Sequence, residues 1–358
     1  MVFSAAENAC YGTLCILTAC LPTFSFPVHF RAGNTGVLLM IFWCFLGLFN
    51  KGVNALAFNH NLQVHWTFGC DISAVIERIW QIGLCCSSLC ILQKLESIAS
   101  LRQAHSSNAD RRRRLCIDLS VGLGVPILQI PLFFVVQPYR LDVIENIGCS
   151  APLYNSVPAL FVYYLWRLLI SVLCSVFAVL ILRWFVLRRR QFTAALSSQH
   201  SGLSQKKYFR LFALAVCEAT LVSVAQFYLI IDSLRLTGLL PYSNWAQVHI
   251  NFDTIAYVPM IREGGTSHAS VSLTIFRWLS LSPALALFFF FGLTEDAKAT
   301  YQSFWQAIKK MGQAFQPRMR NRGSGKHINP ENHSLDLEHF QDQNSKVSIV
   351  LHKDIVIT

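Results

Sequence analysis

Charged residues are scarce in this sequence. They account for 14% of its 358 residues, while hydrophobic residues account for 53%, and an ordinary soluble domain is about a quarter charged. The apolar residues come in long blocks, and a helix of about 20 such residues crosses roughly 30 Å of hydrocarbon. The composition therefore favours an all-α membrane protein over a soluble globular core.

Motifs for catalysis and metal binding are missing as well. The chain contains no HExxH or GxSxG motif and no glycine-rich phosphate loop with its lysine. His60 and His65 have no further ligand in suitable spacing, and no CxxC stands at zinc spacing from another. The sequence predicts neither an enzyme nor a metal or cofactor site.

Seven apolar runs predict seven membrane-spanning helices. No run alternates polar and apolar residues, and a lone helix satisfies its own backbone in lipid, so helices are predicted in place of strands. Prolines such as Pro22, Pro126, Pro158 and Pro283 predict interruptions within these helices. The predicted spans are 9–30, 34–58, 71–98, 115–137, 157–187, 208–231 and 269–292.

The placement of the basic residues predicts the orientation. The net charge of +11 is compatible with binding to nucleic acid or to a membrane surface, but the charges lie between apolar blocks, which favours the membrane. The loops at one side hold 11 Lys and Arg residues and those at the other side hold 3. Because Lys and Arg favour the cytoplasm, the N-terminus is predicted outside and the C-terminus in the cytoplasm.

Three regions are predicted along the chain. Residues 1–295 form the seven-helix bundle, and residues 296–315 form an amphipathic helix on the inner leaflet, because Phe304, Trp305 and Ile308 recur opposite lysines. Residues 316–358 are polar without a period, which predicts a disordered cytoplasmic tail.

Two cysteines lie at the predicted outer side. Most of the 12 cysteines lie inside apolar blocks, where they act as small hydrophobic residues. Cys70 opens the third span and Cys149 lies in the second outer loop. A disulfide between them is favoured because the outside is oxidising; the alternative is two free thiols.

Several charges lie at membrane depth, where a charge needs a partner or a water-filled cavity. An outward polar pocket bounded by Glu77, Arg167 and Arg277 is predicted, with Glu218 as a counter-ion. The alternative is pairing between helices with no role in ligand binding. Three further predictions concern polar residues. Ser73, Glu77 and Gln81 are predicted to form one polar stripe, Lys51 to extend to the interface, and Asp118 to meet the run Arg111–Arg114.

The third outer loop, about 232–268, is long and holds exposed aromatic residues. Tyr242, Trp245 and His249 are candidate ligand contacts there, with an interfacial aromatic belt as the alternative. The basic cytoplasmic loops allow two interpretations as well. Their charges either set the orientation of the chain and contact anionic lipid, or form a docking surface for a cytoplasmic partner.

An ordered set of motifs resembles the fungal lipopeptide pheromone receptors of the a-factor type, most closely the mating-type receptors of basidiomycetes. The motifs are Cys70-Asp71-Ile72, Gly148-Cys149, Tyr208–Ala215, Pro241–His249 and Phe288–Ala297. The run Leu92–Glu96 departs from the basic pair and tyrosine expected near there. The chain also lacks the Asp-Arg-Tyr signature of rhodopsin-like receptors.

The resemblance implies a class D G-protein-coupled receptor of the plasma membrane with several spans. Its ligand would be a secreted farnesylated peptide, and its partner a heterotrimeric G protein contacted through Gα. The expected ligand-binding residues are Glu77, Gln81, Arg167, Arg277, Tyr242, Trp245 and His249. The expected residues for G-protein coupling are Arg102, Arg111, Arg112, Arg113, Arg114, Arg188, Arg189, Arg190, Lys206, Lys207 and Arg210.

The alternative function is a seven-helix transporter of a small solute. That function predicts an internal repeat and paired broken helices, and the sequence shows neither.

Overall fold

The computed structural model of the chain describes residues 3–100, 108–187, 205–259 and 268–292, together with Gln306 and Lys309. Within these residues, seven helices are long and apolar enough to cross a membrane, which confirms the predicted bundle. These spans are α1 (Ala5–Arg31), α2 (Thr35–Ala57), α3 (Thr67–Ala99), α4 (Asn108–Phe134), α5 (Val157–Leu187), α6 (Tyr208–Asp232) and α7 (Leu273–Gly292).

Helical structure extends beyond the apolar part of three spans. The helix of α6 runs from Gln205 to Thr237, and that of α7 begins at His268. α4 begins at Asn108, well before the predicted position 115, because Arg111–Arg114 continues the helix although it is too polar for lipid. Hydropathy therefore locates the membrane-embedded part and not the end of the helix.

Interruptions of the helices coincide with the prolines. α1 contains the 3-10 segment Leu21–Ser25, and α7 divides into His268–Leu279, Ser282–Leu287 and the π-helical turn Phe288–Gly292. Further π-helical turns are Ser120–Gly124 in α4 and Leu160–Tyr164 in α5. α2, α3 and α6, which lack proline, are each a single helix, as expected where no residue removes a backbone donor.

α3 is the central helix of the described bundle. In its apolar 18-residue stretch 72% is buried, compared with 20% in that of α6. α3 contacts α2, α4, α5 and α6. Large hydrophobic side chains on the periphery, such as Val179 and Val186 of α5, are exposed, as expected for a surface that faces lipid.

Two tryptophans pack between α2 and α3. A Cβ atom at Gly47 of α2 would lie 2.4 Å from Trp80 of α3, and one at Gly83 of α3 would lie 2.3 Å from Trp43 of α2. Each indole thus covers a glycine of the other helix, which brings the two backbones close together. Trp43 also donates a hydrogen bond to the carbonyl of Gly122 in α4 at 2.9 Å.

The loops at one end of the bundle form a small sheet. β1 (Leu141–Ile144) pairs antiparallel with β2 (Gly148–Ser150) and parallel with β3 (Ile255–Val258). This sheet was not predicted from the sequence, because strands of three or four residues show no clear alternation. The α4–α5 loop (135–156) supplies β1 and β2, and the α6–α7 loop, described from 238 to 259, supplies β3.

The predicted amphipathic helix at 296–315 and the predicted tail at 316–358 lie outside the described residues, apart from Gln306 and Lys309. Both of these residues are helical and exposed. The two assignments stay predictions.

Candidate functional site

A disulfide joins the first turn of α3 to the α4–α5 loop. It connects Cys70 with Cys149 of β2, whose Cα atoms lie 5.3 Å apart. The adjacent Gly148 has φ +100°, and a Cβ atom there would lie 2.5 Å from Asn54 of α2. Glycine is required at this position both for the backbone conformation and for the close approach to α2. This end of the bundle is called the disulfide end below.

The polar stripe on α3 is matched by side chains of α2. Glu77 accepts a hydrogen bond from Lys51 at 2.6 Å, and Ser73 Oγ accepts one from Asn54 at 2.5 Å. Gln81 is half-buried one turn further along. The expectation that Lys51 extends to the interface is wrong, because the Glu77 carboxylate on the neighbouring helix lies within its reach.

Arg277 of α7 is enclosed by the N-terminal segment. Its guanidinium lies 4.3 Å from the ring of Phe3 and 4.0 Å from that of Tyr11. It donates hydrogen bonds to Asn8 Oδ1 and, at 3.4 Å, to the carbonyl of Asn146 in the α4–α5 loop. Arg277 therefore joins α7 to α1 and to a loop at the disulfide end.

Arg167 of α5 lies against α3. It is 4% exposed, donates to the carbonyl of Arg78 at 3.1 Å, and stacks over the ring of Tyr163 at 4.3 Å. Arg78 donates in turn to the Tyr163 hydroxyl at 3.3 Å. The two arginines thus share one tyrosine.

Glu218 of α6 is 1% exposed, and neither carboxylate oxygen has a hydrogen-bond partner among the described residues. No described Lys or Arg lies within ion-pair distance of it, so the described bundle shows no counter-ion role. None of Glu77, Arg167, Arg277 and Glu218 lines the cavity that lies between α3 and α4. Each of the first three has its own partner on a neighbouring helix instead.

The α6–α7 loop is anchored to the end of α4. The Tyr242 hydroxyl donates to the Val135 carbonyl at 3.2 Å. The two ring nitrogens of His249 each lie 2.8 Å from a carbonyl oxygen, one of Phe134 and one of Trp245. Trp245 stacks on His249 at 3.9 Å and is itself 53% exposed. The three predicted loop residues are therefore grouped at the disulfide end.

A cavity of about 290 Å³ opens beside this group, between α3 and α4. Arg78 and Gln129 supply polar groups within it, and Phe252 and Asp253 of the α6–α7 loop reach its edge. The cavity was not predicted from the sequence, because hydropathy gives no signal for a space that forms between two helices and two loops. The other residues that line it are Asp71, Ala74, Val75, Ile79, Ile130, Phe133, Phe134, Gln137, Arg140, Leu141 and Ala151.

Fixed polar groups lie at the rim of the cavity and in the adjoining α4–α5 loop. Asp71 accepts two hydrogen bonds from Arg140, at 2.7 and 3.1 Å, and this contact raises the pKa of Arg140. Burial raises the pKa of Asp142. Burial and a 2.7 Å hydrogen bond to Asp142 raise the pKa of Tyr139 to about 12. Tyr139 therefore remains a hydrogen-bond donor and Arg140 a cation at physiological pH.

The opposite end of the bundle holds the described basic residues of the coupling set. Arg111, Arg112 and Arg113 of α4 and Arg210 of α6 are exposed, while Arg114 donates to Ser97 of α3 at 2.6 Å. Lys206 and Lys207 lie in the first turn of the α6 helix. The remaining members, Arg102, Arg188, Arg189 and Arg190, lie outside the described residues.

Asp118 does not form the predicted contact with the run Arg111–Arg114. It is 6% exposed, and no described base lies within ion-pair distance of its carboxylate. Arg114 bonds to Ser97 and Lys94 bonds to Gly33 and Asn34, so both bases act on the Asp118 carboxylate only at longer range.

Comparisons with known proteins give a consistent result. The sequence profile of the STE3 family, described as pheromone A receptor, matches residues 10–312. The chain is 61% identical to Pheromone receptor 2 of Mycosarcoma maydis, over 99% of this chain and 100% of that protein. It is 32% identical to the Pheromone B beta 1 receptor of Schizophyllum commune, over 70% of this chain and 46% of that receptor. It is 22% identical to the Pheromone a factor receptor of Saccharomyces cerevisiae, over 83% of this chain and 61% of that one.

Proposed function

The chain belongs to the STE3 family of pheromone A receptors, and on that premise we propose that it binds a farnesylated peptide pheromone and signals through the Gα subunit of a heterotrimeric G protein. It is a multi-pass membrane protein and a receptor rather than an enzyme. No comparison supports the transporter alternative.

One observation carries the proposal. The family match extends over residues 10–312 and so overlaps all seven spans. The identity of 61% to Pheromone receptor 2 of Mycosarcoma maydis also extends over 99% of the chain. A match of this extent involves the whole bundle and both of its ends, so ligand binding and coupling are inferred together.

We propose that the disulfide end faces outside and the opposite end faces the cytoplasm of the plasma membrane. A disulfide between Cys70 and Cys149 fits an oxidising compartment. The exposed arginines of α4 and α6 lie at the opposite end, as Lys and Arg do at cytoplasmic ends. A secreted ligand in this arrangement meets the α4–α5 and α6–α7 loops first.

The chemistry of the disulfide end supports a lipidated peptide as the ligand. Each buried CH₂ group of a prenyl chain contributes about 0.8 kcal/mol, so such a chain seeks the membrane or an apolar cleft. The peptide part needs polar groups, which the backbone of the α6–α7 loop offers, and Tyr242 and His249 hold that loop against the end of α4. Trp245 is the exposed aromatic residue among the predicted contacts, and it is placed to contact the ligand directly.

In this proposal the other predicted ligand residues do not contact the ligand directly. Glu77 faces α2 and Gln81 lies one turn further along the same helix, whereas Arg167 and Arg277 join helices within the bundle. Signalling requires the ligand to bind one arrangement of the helices better than another. These residues set the balance between arrangements through contacts between helices.

The cytoplasmic end is proposed to bind Gα through its basic residues. Arg111, Arg112, Arg113 and Arg210 are exposed and close to the ends of α4 and α6. Charges at a rim accelerate association with an oppositely charged partner and fix its orientation.

The test is a cellular response. The receptor is expressed with a G protein and a transcriptional reporter, and it is exposed to a panel of synthetic farnesylated peptides and to the same peptides without the lipid. We expect at least one farnesylated peptide to activate the reporter and its unlipidated form to be much weaker. Silence toward the whole panel, with surface display confirmed, would contradict the proposal.

A further inference from the structure

We propose that the cavity between α3 and α4 is the subsite that receives the lipidated end of the pheromone, with Arg78 and Gln129 as its polar contacts. This inference rests on the proposed function, because it names the place where part of that ligand binds. None of the seven ligand-binding residues predicted from the sequence lines this cavity.

The walls of the cavity suit an apolar chain. Val75 and Ile79 of α3 face Ile130 and Phe133 of α4 across it. Its volume of about 290 Å³ lies at the lower limit of small-molecule sites, which range from about 300 to 1,000 Å³. The cavity therefore takes one group of a peptide ligand and not the whole peptide.

Arg78 brings a cation to this apolar space. Its guanidinium lies 4.8 Å from the ring of Phe133 and 5.7 Å from that of Tyr163, and it donates one hydrogen bond to the Tyr163 hydroxyl. Its Nε is buried and has no hydrogen-bond partner, and no described carboxylate lies within ion-pair distance. A cation at membrane depth with a donor left over favours a ligand that supplies an oxygen acceptor.

Gln129 supplies the complementary group. It is 3% exposed, and its Nε2 donates to the carbonyl of Val162 at 2.6 Å. Its Oε1 accepts no hydrogen bond from the residues that the structure describes, and therefore remains available. A peptide group offers a carbonyl oxygen to Arg78 and an N–H to Gln129 at once. This pairing favours a lipidated peptide over an ordinary membrane lipid as the occupant.

The rim of the cavity includes residues of the α6–α7 loop, which leads into α7. Phe252 packs against Phe134 with ring centroids 6.2 Å apart, and Asp253 reaches the same edge. Both precede β3, which pairs with β1 and continues toward α7. An occupant of the cavity would therefore contact the segment that leads into α7.

The experiment fills the cavity and varies the length of the prenyl chain. Ile130→Trp places a larger side chain in the cavity. Ile127→Trp is the matched control on the same helix, because Ile127 is 57% exposed and does not line the cavity. Both variants are tested against a peptide that activates the wild type, prepared with a farnesyl chain and with the shorter geranyl chain, at matched surface display.

We expect Ile130→Trp to lower the potency of the farnesylated peptide by about tenfold or more, since one methylene in an apolar pocket already changes affinity by about tenfold. The geranylated peptide should lose much less, and Ile127→Trp should change neither response. If Ile130→Trp is not displayed, Ile130→Phe takes its place.

Three outcomes would overturn the subsite. One is equal loss for both chain lengths, which indicates altered packing or a resident membrane lipid. Another is an unchanged response of Ile130→Trp. The third concerns the polar contact. Arg78→Gln should lower the potency of both peptides by a similar factor, whereas the exposed control Arg235→Gln should leave both unchanged. Equal behaviour of these two variants would contradict the polar contact. A wild-type receptor that ignores every farnesylated peptide would instead contradict the proposed function, and so the two failures are distinguishable.

Discussion

Lys51 and Glu77 show how this receptor accommodates charges at membrane depth. Their 2.6 Å ion pair joins α2 to α3, and the lysine also lies 5.5 Å from the ring of Trp80. The two side chains are only 19% and 26% exposed. When one member of a poorly solvated pair is removed, the other is left without compensation, whereas removal of both is better tolerated.

We expect Lys51→Met to destabilise the receptor by about 1–3 kcal/mol, because the Glu77 carboxylate loses its partner in a site with little solvent. The double variant Lys51→Met/Glu77→Gln should recover most of this loss. The thermal midpoint of the purified receptor in detergent measures both effects. A double variant as unstable as Lys51→Met alone would show that the ion pair is not the cause.

Partners of single residues were the least predictable feature. The pattern of hydropathy identified Glu77 and Arg277 as unusual, but a partner depends on how each helix is rotated and how far it is shifted along its neighbour. Arg277 bonds to Asn8, which is 269 positions away in the sequence. Such a contact follows from the packing of α1 against α7 and has no local signature.

At the scale of elements, two loops and the end of α4 form one unit. The last carbonyl groups of a helix lack partners within it and carry partial negative charge. Tyr242 and His249 of the α6–α7 loop bond to carbonyls at this end of α4, and β3 of the same loop pairs with β1. The loop therefore links α6 and α7 to α4.

We expect His249→Ala to lower the potency of an activating pheromone by about five- to tenfold, which is the lower range for coupling between sites. The substitution removes the ring contacts to the carbonyls of Phe134 and Trp245. Ile250→Ala is the control, because the adjacent Ile250 is 77% exposed. Dose–response curves for the reporter measure both variants, and equal curves would show that this anchor has no part in signalling.

Helices were predictable at this scale, and the sheet was not. Apolar runs located all seven spans, and α5 has the predicted bounds, because about 20 apolar residues in succession are required by the thickness of the bilayer. Prolines such as Pro22 and Pro283 marked the interruptions. β1 and β3 are short and belong to different loops, so neither alternation nor a turn motif connects them.

At the scale of the whole molecule, the two ends differ in chemistry and share a central helix. One end carries the disulfide, the small sheet and the cavity; the other carries exposed arginines. The first turn of α3 holds Cys70 at the disulfide end, and the helix contacts four other spans along its length to the opposite end. A ligand that favours one packing of these helices can therefore change the surface offered to a G protein.

The family could be identified from the ordered motifs of the sequence, whereas the cavity could be identified only from the folded structure. Asp71 belongs to the Cys70-Asp71-Ile72 motif, and Phe252 lies just after the Pro241–His249 motif. The structure brings both residues to the rim of one cavity. The sequence contains the residues of this site, but only the packing of α3, α4 and two loops assembles them.

The most direct test of the central claim is nucleotide exchange on a purified Gα subunit. The receptor is placed in a lipid nanodisc with a panel of fungal heterotrimers, and guanine nucleotide exchange is followed with farnesylated and unlipidated forms of the same peptides. We predict that a farnesylated peptide accelerates exchange on at least one Gα and that its unlipidated form does so only weakly. Exchange that no farnesylated peptide accelerates, with a folded receptor confirmed in the disc, would contradict the account.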